Sequence, residues 1–254
     1  MIRRIREHVE AQNWFAVGID LLIVVVGVFL GTQANNWNQD RLDRAEARQF
    51  RSEIVSNLRS NEEDVAARER YYKQVRSHAI AALAALRRDA PLGEQFLIDT
   101  YQASQGWRRS IDRTAFDELQ SSGVSQLVGD REIRSALSAY YVMARGFDAF
   151  AREETTYRNR LRSEMALEPQ LAVRRLCDDQ MRNLPLGAEV PELPSTCRLG
   201  LAPSAARDAA EALAAIDGLE RDLTRLIVDI DQRLQLFERT RLSAVRLRSQ
   251  LEAA

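Results

Sequence analysis

The sequence predicts an all-α protein, with one N-terminal transmembrane helix followed by an extramembrane bundle of three or four long antiparallel helices. The first observation behind this prediction is an apolar stretch from Trp14 to Gly31 whose only charged residue is Asp20. A stretch of about 18 such residues is long enough to cross a bilayer as a helix. Second, glycine and proline are scarce outside two short windows. Third, apolar residues recur at helical spacing through most of the remaining chain.

Composition favours one membrane span and one helical domain, and it argues against a nucleic-acid-binding protein. The chain has 254 residues, with 36 basic and 37 acidic side chains and a net charge of -1. A nucleic-acid-binding domain carries a clear basic excess, which this composition lacks. About 215 residues follow the apolar stretch, which is enough for one domain of ordinary size.

A short N-terminal tail, residues 1–13, precedes the apolar stretch and contains three arginines. Basic residues beside a membrane span favour the cytoplasm, so we expect a cytoplasmic N-terminus and a periplasmic C-terminal domain. Small residues at Thr32 and Ala34 would suit a cleaved signal peptide, which is an alternative to a permanent anchor. The opposite orientation also stays open, because four arginines follow the far end of the span: Arg41, Arg44, Arg48 and Arg51.

The predicted transmembrane helix covers residues 14–37 and has a tryptophan at each end. Along a helix, Trp14 and Trp37 are about 35 Å apart. Indole rings favour the two membrane interfaces, so both side chains are predicted interface anchors. A buried helix of a soluble core is the alternative interpretation of this stretch.

One face of the predicted membrane helix is small and polar, and it is the candidate contact face for another membrane helix. Gly27 and Gly31 have the spacing that lets two helix backbones approach closely. A carboxylate inside the apolar layer usually faces a partner or water, so Asp20 supports the same face, although snorkelling to the interface is its alternative. The predicted contact is with a second copy of the chain or with a larger complex. The face comprises Asp20, Gly27, Gly31 and Ala34.

Residues 38–254 are predicted to form the extramembrane helical domain. Its apolar residues recur every three or four positions over three long stretches, and such stripes pack against each other as in a coiled coil. Ala90 to Gly93 should end the first long helix, Gly123 should end a short helix that begins near Thr114, and Asp130 should cap the next one. The predicted long helices are 38–89, 130–167 and 205–252.

A predicted loop at 183–203 lies between two cysteines. Cys177 and Cys197 are the only cysteines in the chain, and they bracket most of this irregular segment. A disulfide between them would close a loop of about 20 residues and stabilise the fold by about 3 kcal/mol in the chain-entropy model. Disulfides persist outside the cytoplasm, which supports a periplasmic domain, but two free thiols are the alternative. A zinc site is not predicted, since no histidine or further cysteine lies nearby.

Several short motifs resemble an uncharacterised bacterial family of single-pass membrane proteins. The resemblance covers roughly the first 145 residues and implies a membrane anchor followed by a helical domain. It assigns no activity and no catalytic residue. The location that we predict is the bacterial inner membrane. The motifs are WFAVGID at 14–20, VVVG at 24–27, Gln33 with NWN at 36–38, AFDEL at 115–119, Ser122 with Gly123, and ALSAYY at 136–141.

The chain contains no motif for a known chemistry. Phosphate-binding loops, nucleophile elbows and zinc-protease motifs are missing from the sequence. His8 and His78 are isolated, so no metal site, cofactor or enzymatic activity is predicted.

The predicted function is therefore a non-catalytic interaction, scaffold or accessory subunit of a membrane complex. Its predicted partners are the lipid bilayer and other membrane helices or a second copy of itself. A periplasmic sensory or small-ligand-binding helical bundle is the alternative. Only about 13 residues would lie on the other side of the span, too few for a signalling domain, and this favours the first function.

Overall fold

The computed structural model describes residues 14–88, 90–186 and 188–253, without the side chains of 14–16 and 151. The predicted tail, residues 1–13, lies outside the described residues. The chain is mostly helical, with 76% of its residues in helices, which confirms the predominantly helical prediction. The all-α prediction was too strict, because two short β-strands are present.

Helix α1, Trp14–Leu86, is 73 residues long and extends about 110 Å. It joins the predicted membrane helix and the predicted first long helix of the domain without a break. Neither proline nor glycine occurs between residues 38 and 88, so nothing in the backbone stops the helix there. Pro91 and Gly93 follow its end, where the sequence predicted a stop.

Most of the remaining elements are short. Two predicted helix ends are confirmed: Gly123 ends α3 at a φ of 82°, and the carboxylate of Asp130 accepts a hydrogen bond from the backbone N–H of Ile133 at 2.8 Å. The elements that follow α1 are α2 (Glu94–Ala103), α3 (Thr114–Ser122), a 3-10 turn (Ser125–Leu127), α4 (Arg131–Ala144), α5 (Gly146–Arg152), α6 (Thr156–Glu164), α7 (Leu167–Leu176), β1 (Gln180–Asn183), β2 (Glu189–Glu192), α8 (Pro203–Ala214) and α9 (Leu219–Ala253).

The single helix predicted over 130–167 is divided into α4, α5 and α6, and α7 begins at its end. The chain is extended at Glu153, with ψ of 123°, and again at Thr155. The hydroxyl of Thr155 accepts a hydrogen bond from the N–H of Arg158, so it caps α6 and starts a new helix direction. The stripe of apolar residues in 130–167 therefore continues through a change of chain direction rather than along one straight helix.

The helix predicted over 205–252 is also divided, because Gly218 has a φ of 76° between α8 and α9. A left-handed backbone of this kind ends a helix and suits glycine. Within the predicted loop at 183–203, β2 pairs with β1 in an antiparallel hairpin, so the loop is partly ordered as sheet. Among the described elements α1 and α9 are long, and the others have 14 residues or fewer, so the predicted three or four long helices are not found.

The two long helices are antiparallel and connected by a row of ion pairs. Near the start of the shared stretch Arg59 pairs with Glu252 at 3.1 Å, and near its end Arg87 pairs with Glu220 at 2.7 Å. Three further pairs lie between these two: Glu62 with Arg248, Glu69 with Arg241, and Arg76 with Asp231. The residue numbers of the partners increase along α1 while those of their partners on α9 decrease, which fixes the antiparallel register of the two helices.

The domain has two hydrophobic clusters at different heights along α1. We call the one nearer the apolar segment the proximal core; its centre includes Ile54, Leu58 and Tyr141. The other, the distal core, is larger, and its centre includes Tyr101 and Phe237. Helix α9 contributes to both, with its C-terminal end in the proximal core, so α1 and α9 together connect the whole domain.

The N-terminal part of α1 packs against nothing in the described chain. An 18-residue window there has a mean hydropathy of 2.1 and no buried residue. The helix is thus long and apolar enough to cross a membrane, as an anchor or as a signal sequence would be. A core helix of a soluble protein passes the same test of length and composition, but it would be buried. Ala47 is the first buried residue of α1.

Candidate functional site

The predicted contact face of the membrane helix is uncovered. Asp20, Gly27, Gly31 and Ala34 are all exposed, and by helical rotation they lie within an arc of about 60°. A β-carbon added at Gly27 or Gly31 would meet no atom of the described chain within 4 Å. The two glycines therefore form a shallow groove that is open to a neighbouring helix.

The two tryptophans predicted as interface anchors occupy α1. Trp14 is the first residue of the helix, and its side chain lies outside the described structure. Trp37 is 67% exposed and lies ten residues before Ala47, where burial begins. A free helical segment of about 15 Å thus separates Trp37 from the bundle.

The two cysteines lie together at the distal end of the domain. Cys177 follows α7 and is buried in the distal core, and Cys197 lies in the segment after β2. Their sulfur atoms are at bonding distance, and their α-carbons are 5.6 Å apart. The pair fastens the segment after the hairpin to the end of α7.

A cleft of about 430 Å³ opens beside this cysteine pair. One wall is formed by α1 and α2, with His78, Ile98 and Gln102, and the other by the chain from Pro194 to Arg198. The wall residues are mixed in character, with an imidazole, amides, hydroxyls and a guanidinium beside two apolar side chains. The cleft is therefore suited to a small polar molecule rather than to an apolar one.

A histidine and a carboxylate are paired at this cleft. Nδ1 of His78 lies 2.7 Å from Oδ1 of Asp99, which is buried and also accepts from Nε2 of Gln95 at 3.0 Å. This contact holds the imidazole ring in one orientation through Nδ1. Nε2 is then the ring atom left for a ligand. His78 looks isolated in the sequence because Asp99 is 21 residues away and on another helix.

Gln102, on the next turn of α2, has a buried carbonyl group. Its Nε2 donates to the backbone carbonyl of Cys177 at 2.6 Å, but its Oε1 has no hydrogen-bond partner among the described residues. An unpaired buried oxygen costs about 1–3 kcal/mol. Such an atom next to a polar cleft is typical of a place where a ligand or a water supplies the missing donor.

A buried row of polar side chains on α1 lies between the two cores. Asn57, Asn61, Asp64 and Arg68 follow one another at helical spacing, and we call them the polar row. Both asparagines donate to Asp112, at 2.6 and 2.9 Å, and so hold the segment before α3. The polar row is structural in character, since its members bond to the chain itself.

Arg68 makes the most contacts in the polar row. Its Nε donates to Asp64 at 2.8 Å, one terminal nitrogen donates to the carbonyl of Arg109 at 2.6 Å, and the guanidinium carbon lies 4.8 Å from the ring centre of Trp107. Burial lowers the pKa of Arg68, and the neighbouring carboxylate of Asp64 opposes that shift. The contacts join α1 to the segment between α2 and α3.

The described residues do not form a metal-binding group of three or more histidine, cysteine or carboxylate side chains. His8 lies outside the described structure, and His78 bonds to Asp99. The structure thus brings together the histidine–carboxylate pair and the cysteine pair at one cleft. The predicted contact face at residues 20–34 is far away along α1: His78 lies more than 40 residues, or about 60 Å, beyond Trp37.

No protein-family model, curated protein or solved structure matches this chain. Membership of the bacterial single-pass family therefore stays a prediction from the motifs in the anchor and in α3 and α4.

Proposed function

We propose that this chain is a non-catalytic, single-pass membrane protein that serves as an interaction or accessory subunit of a membrane complex. One observation supports this most directly: α1 is uncovered and apolar in its first part, and in its second part it is a central helix of the folded domain. The anchor and the domain are therefore one rigid element. Such an arrangement holds a folded body in a fixed orientation above the membrane.

Lipid is the proposed environment of the uncovered part of α1. Large apolar side chains between residues 19 and 30 are more than 40% exposed, and they surround the helix. Soluble proteins rarely leave so large an apolar surface in water. A spanning helix satisfies its own backbone hydrogen bonds, which makes a single helix a stable structure in lipid.

The proposed contact with a partner helix is through Asp20, Gly27, Gly31 and Ala34. The two glycines offer close approach, and the carboxylate gains from a polar partner inside the apolar layer. The partner is another membrane protein helix or a second copy of this chain. We place the protein in the bacterial inner membrane, with the N-terminus in the cytoplasm and the helical domain in the periplasm. The cysteine pair supports the periplasmic side.

A pair of matched glycine substitutions tests this function. Gly27→Ile fills the proposed contact face, whereas Gly18→Ile makes the same change about 180° away on the helix. Added β-carbons at both positions meet only open space in the described chain, so both variants should fold. We expect Gly27→Ile to lose chemical self-crosslinking in the native membrane, or co-purification of partner subunits, while Gly18→Ile retains it.

Two results would contradict the proposal. If both variants crosslink and co-purify like the native chain, the glycine face makes no contact. If the native chain stays in the supernatant after high-speed centrifugation of the cell lysate, there is no membrane anchor.

The cleft at His78 favours a second candidate function, a small-ligand-binding bundle. The oriented imidazole of His78 and the unpaired Oε1 of Gln102 are the specific observations. We expect a small polar metabolite in a screen to raise the melting temperature of the native chain but not of His78→Ala. A screen with no shift, or with equal shifts in both proteins, would remove this candidate.

A further inference from the structure

Four arginines lie on one side of α1, immediately after the uncovered apolar segment. Positions 41, 44, 48 and 51 fall within an arc of about 80° on a helix. Helix α1 is continuous from the apolar segment through all four positions, so the four arginines do lie on one side of a single helix. We call Arg41, Arg44 and Arg48 the arginine stripe, since these three are exposed. Arg51 is partly buried and donates to the carbonyl of Val128 at 2.9 Å.

The arginine stripe lacks carboxylate partners within the described chain. None of the three arginines has a carboxylate oxygen within 4.0 Å among the described residues. The acids nearest to them in the sequence are Asp40, Asp43, Glu46 and Glu53. Two of those acids bond to glutamines instead: Asp43 accepts from Gln39 at 2.8 Å and Glu53 from Gln49 at 2.9 Å. Asp43 and Glu53 lie on the opposite side of the helix, and Asp40 borders the stripe.

Arg41 lies at the height of the headgroup layer, and Arg44 and Arg48 lie above it on the same side of α1. If Trp37 marks the interface, Arg41 lies about 6 Å, Arg44 about 10 Å and Arg48 about 16 Å beyond it along α1. The headgroup region is about 5–8 Å thick on each side of the hydrocarbon, and arginine side chains extend toward it. The bundle begins above this region, at Ala47 and Val128. Nothing in the described chain therefore competes with lipid for Arg41 and Arg44.

We propose that Arg41 and Arg44 bind the phosphate headgroups of anionic phospholipids in the leaflet below the bundle, and that Arg48 adds electrostatic attraction from above the headgroup layer. The chemistry is that of a guanidinium donating paired hydrogen bonds to phosphate oxygens, with attraction between opposite charges. This inference rests on the proposed function, because it requires α1 to span the membrane. It adds a lipid class as a partner and names the residues that select it.

The test is a binding titration with the full chain purified in a non-ionic detergent. Fluorescent phosphatidylglycerol is the probe, and phosphatidylcholine and inorganic phosphate are the competitors. Each basic residue near an anionic surface contributes roughly fivefold in affinity, so we expect the triple change of Arg41, Arg44 and Arg48 to Gln to weaken binding by about 100-fold. Single changes should weaken it more at Arg41 and Arg44 than at Arg48, and the triple change to Lys should retain most of the binding.

A matched control removes the same charge elsewhere. Arg225, Arg239 and Arg246 are exposed on α9, away from the membrane, and their triple change to Gln should leave the affinity unchanged. Equal binding by the stripe variant and this control would overturn the proposal. Displacement of the probe by inorganic phosphate at low concentration would also overturn it, because that would show a site for free anions.

Failure of the lipid site is distinguishable from failure of the membrane anchor. The stripe variant retains the apolar segment, so it should still sediment with the membrane fraction. A native chain that does not sediment contradicts the anchor. A native chain that sediments but does not discriminate between phosphatidylglycerol and phosphatidylcholine contradicts the lipid site alone.

Discussion

Arg68 connects the two cores through a buried ion pair. Both its side chain and that of Asp64 are less than 10% exposed. Removing one member of a buried pair leaves the other charge without compensation, which costs about 3–5 kcal/mol. The contacts of Arg68 with the segment before α3 would be lost as well.

We therefore expect Arg68→Ala to lower the free energy of unfolding by about 3–5 kcal/mol. The measurement is urea unfolding of the full chain in mild detergent. Arg87→Ala is the control, because Arg87 and Glu220 form an exposed pair whose loss should cost less than about 1 kcal/mol. Equal losses in the two variants would show that the polar row does not stabilise the fold.

Asp179 gives the stability a predictable dependence on pH. Burial raises the pKa of this carboxyl above its usual value of 3.8, although the hydrogen bond from the hydroxyl of Tyr71 opposes the shift. A carboxyl whose pKa is higher in the folded than in the unfolded state destabilises the fold when it is ionised. This unfavourable contribution is fully present at neutral pH, and it disappears as the pH falls through the raised pKa toward 3.8.

We expect Asp179→Asn to be at least as stable as the native chain near neutral pH, since asparagine retains an oxygen for Tyr71 and carries no charge. The advantage should shrink as the pH is lowered toward about 4. Melting temperatures of both proteins across this pH range provide the check. A variant that is less stable at neutral pH, with a deficit that stays constant on acidification, would contradict the assigned cause.

At the scale of elements, the ion pairs between α1 and α9 fix the register of the two long helices. Arg76 and Asp231 are a suitable pair for a test, because their contacts are 2.6 and 3.1 Å long and both side chains are partly exposed. The hydrogen bond to Asp231 raises the pKa of Arg76, so the guanidinium stays charged.

Exchanging the two charges of this pair should restore the stability that either single change removes. We expect Arg76→Asp and Asp231→Arg each to lose about 1 kcal/mol of unfolding free energy, since each places like charges together. The double variant should recover most of the loss, because the exchanged charges again attract. Urea unfolding of the four proteins gives the coupling energy. Simple addition of the two losses would show that the helices do not meet in this register.

The sequence predicted helical content better than helix boundaries. Spacing of apolar residues identifies a helix, and one such stripe continued through Glu153 and Thr155 although the backbone turns there. The turn depends on the local cap at Thr155, and the separate break between α8 and α9 depends on the left-handed conformation of Gly218. Apolar spacing encodes neither. The hairpin of β1 and β2 was missed because it contains only two strands of four residues and Pro191.

Sequence spacing could identify a candidate site within one helix, but it could not identify a site whose residues lie on different helices. The predicted contact face depends on residues within one helix, so Asp20, Gly27 and Gly31 could be placed together from their spacing alone. The cleft requires His78 and Asp99, which lie on different helices, to meet through the fold. The sequence shows only an aspartate at 99, and its burial, which distinguishes it from the many exposed acids, is visible only in the structure.

For the whole molecule, the structure separates the uncovered apolar segment of α1 from the folded domain. Ala47 is the first buried residue, and both hydrophobic cores lie after it. A fragment covering residues 45–254 should therefore fold in water without detergent.

We expect this fragment to be soluble and to have the urea midpoint of the full chain within error, because it loses no core contact. A shorter fragment, 59–254, is the control. It lacks Ile54 and Leu58, and the loss of these two buried side chains leaves a cavity in the proximal core. It should therefore lose several kcal/mol of stability. Aggregation of the longer fragment would show that the apolar segment contributes to folding.

The unbroken course of α1 has a geometrical consequence. Because no hinge intervenes between Trp37 and Ala47, each residue inserted there would raise the bundle by about 1.5 Å and rotate its azimuth by about 100° around the helix axis. Seven inserted residues would nearly restore the original azimuth, about 10 Å higher. The number of residues in this short segment therefore sets both the distance of the bundle from Trp37 and the rotation of the bundle about the axis of α1.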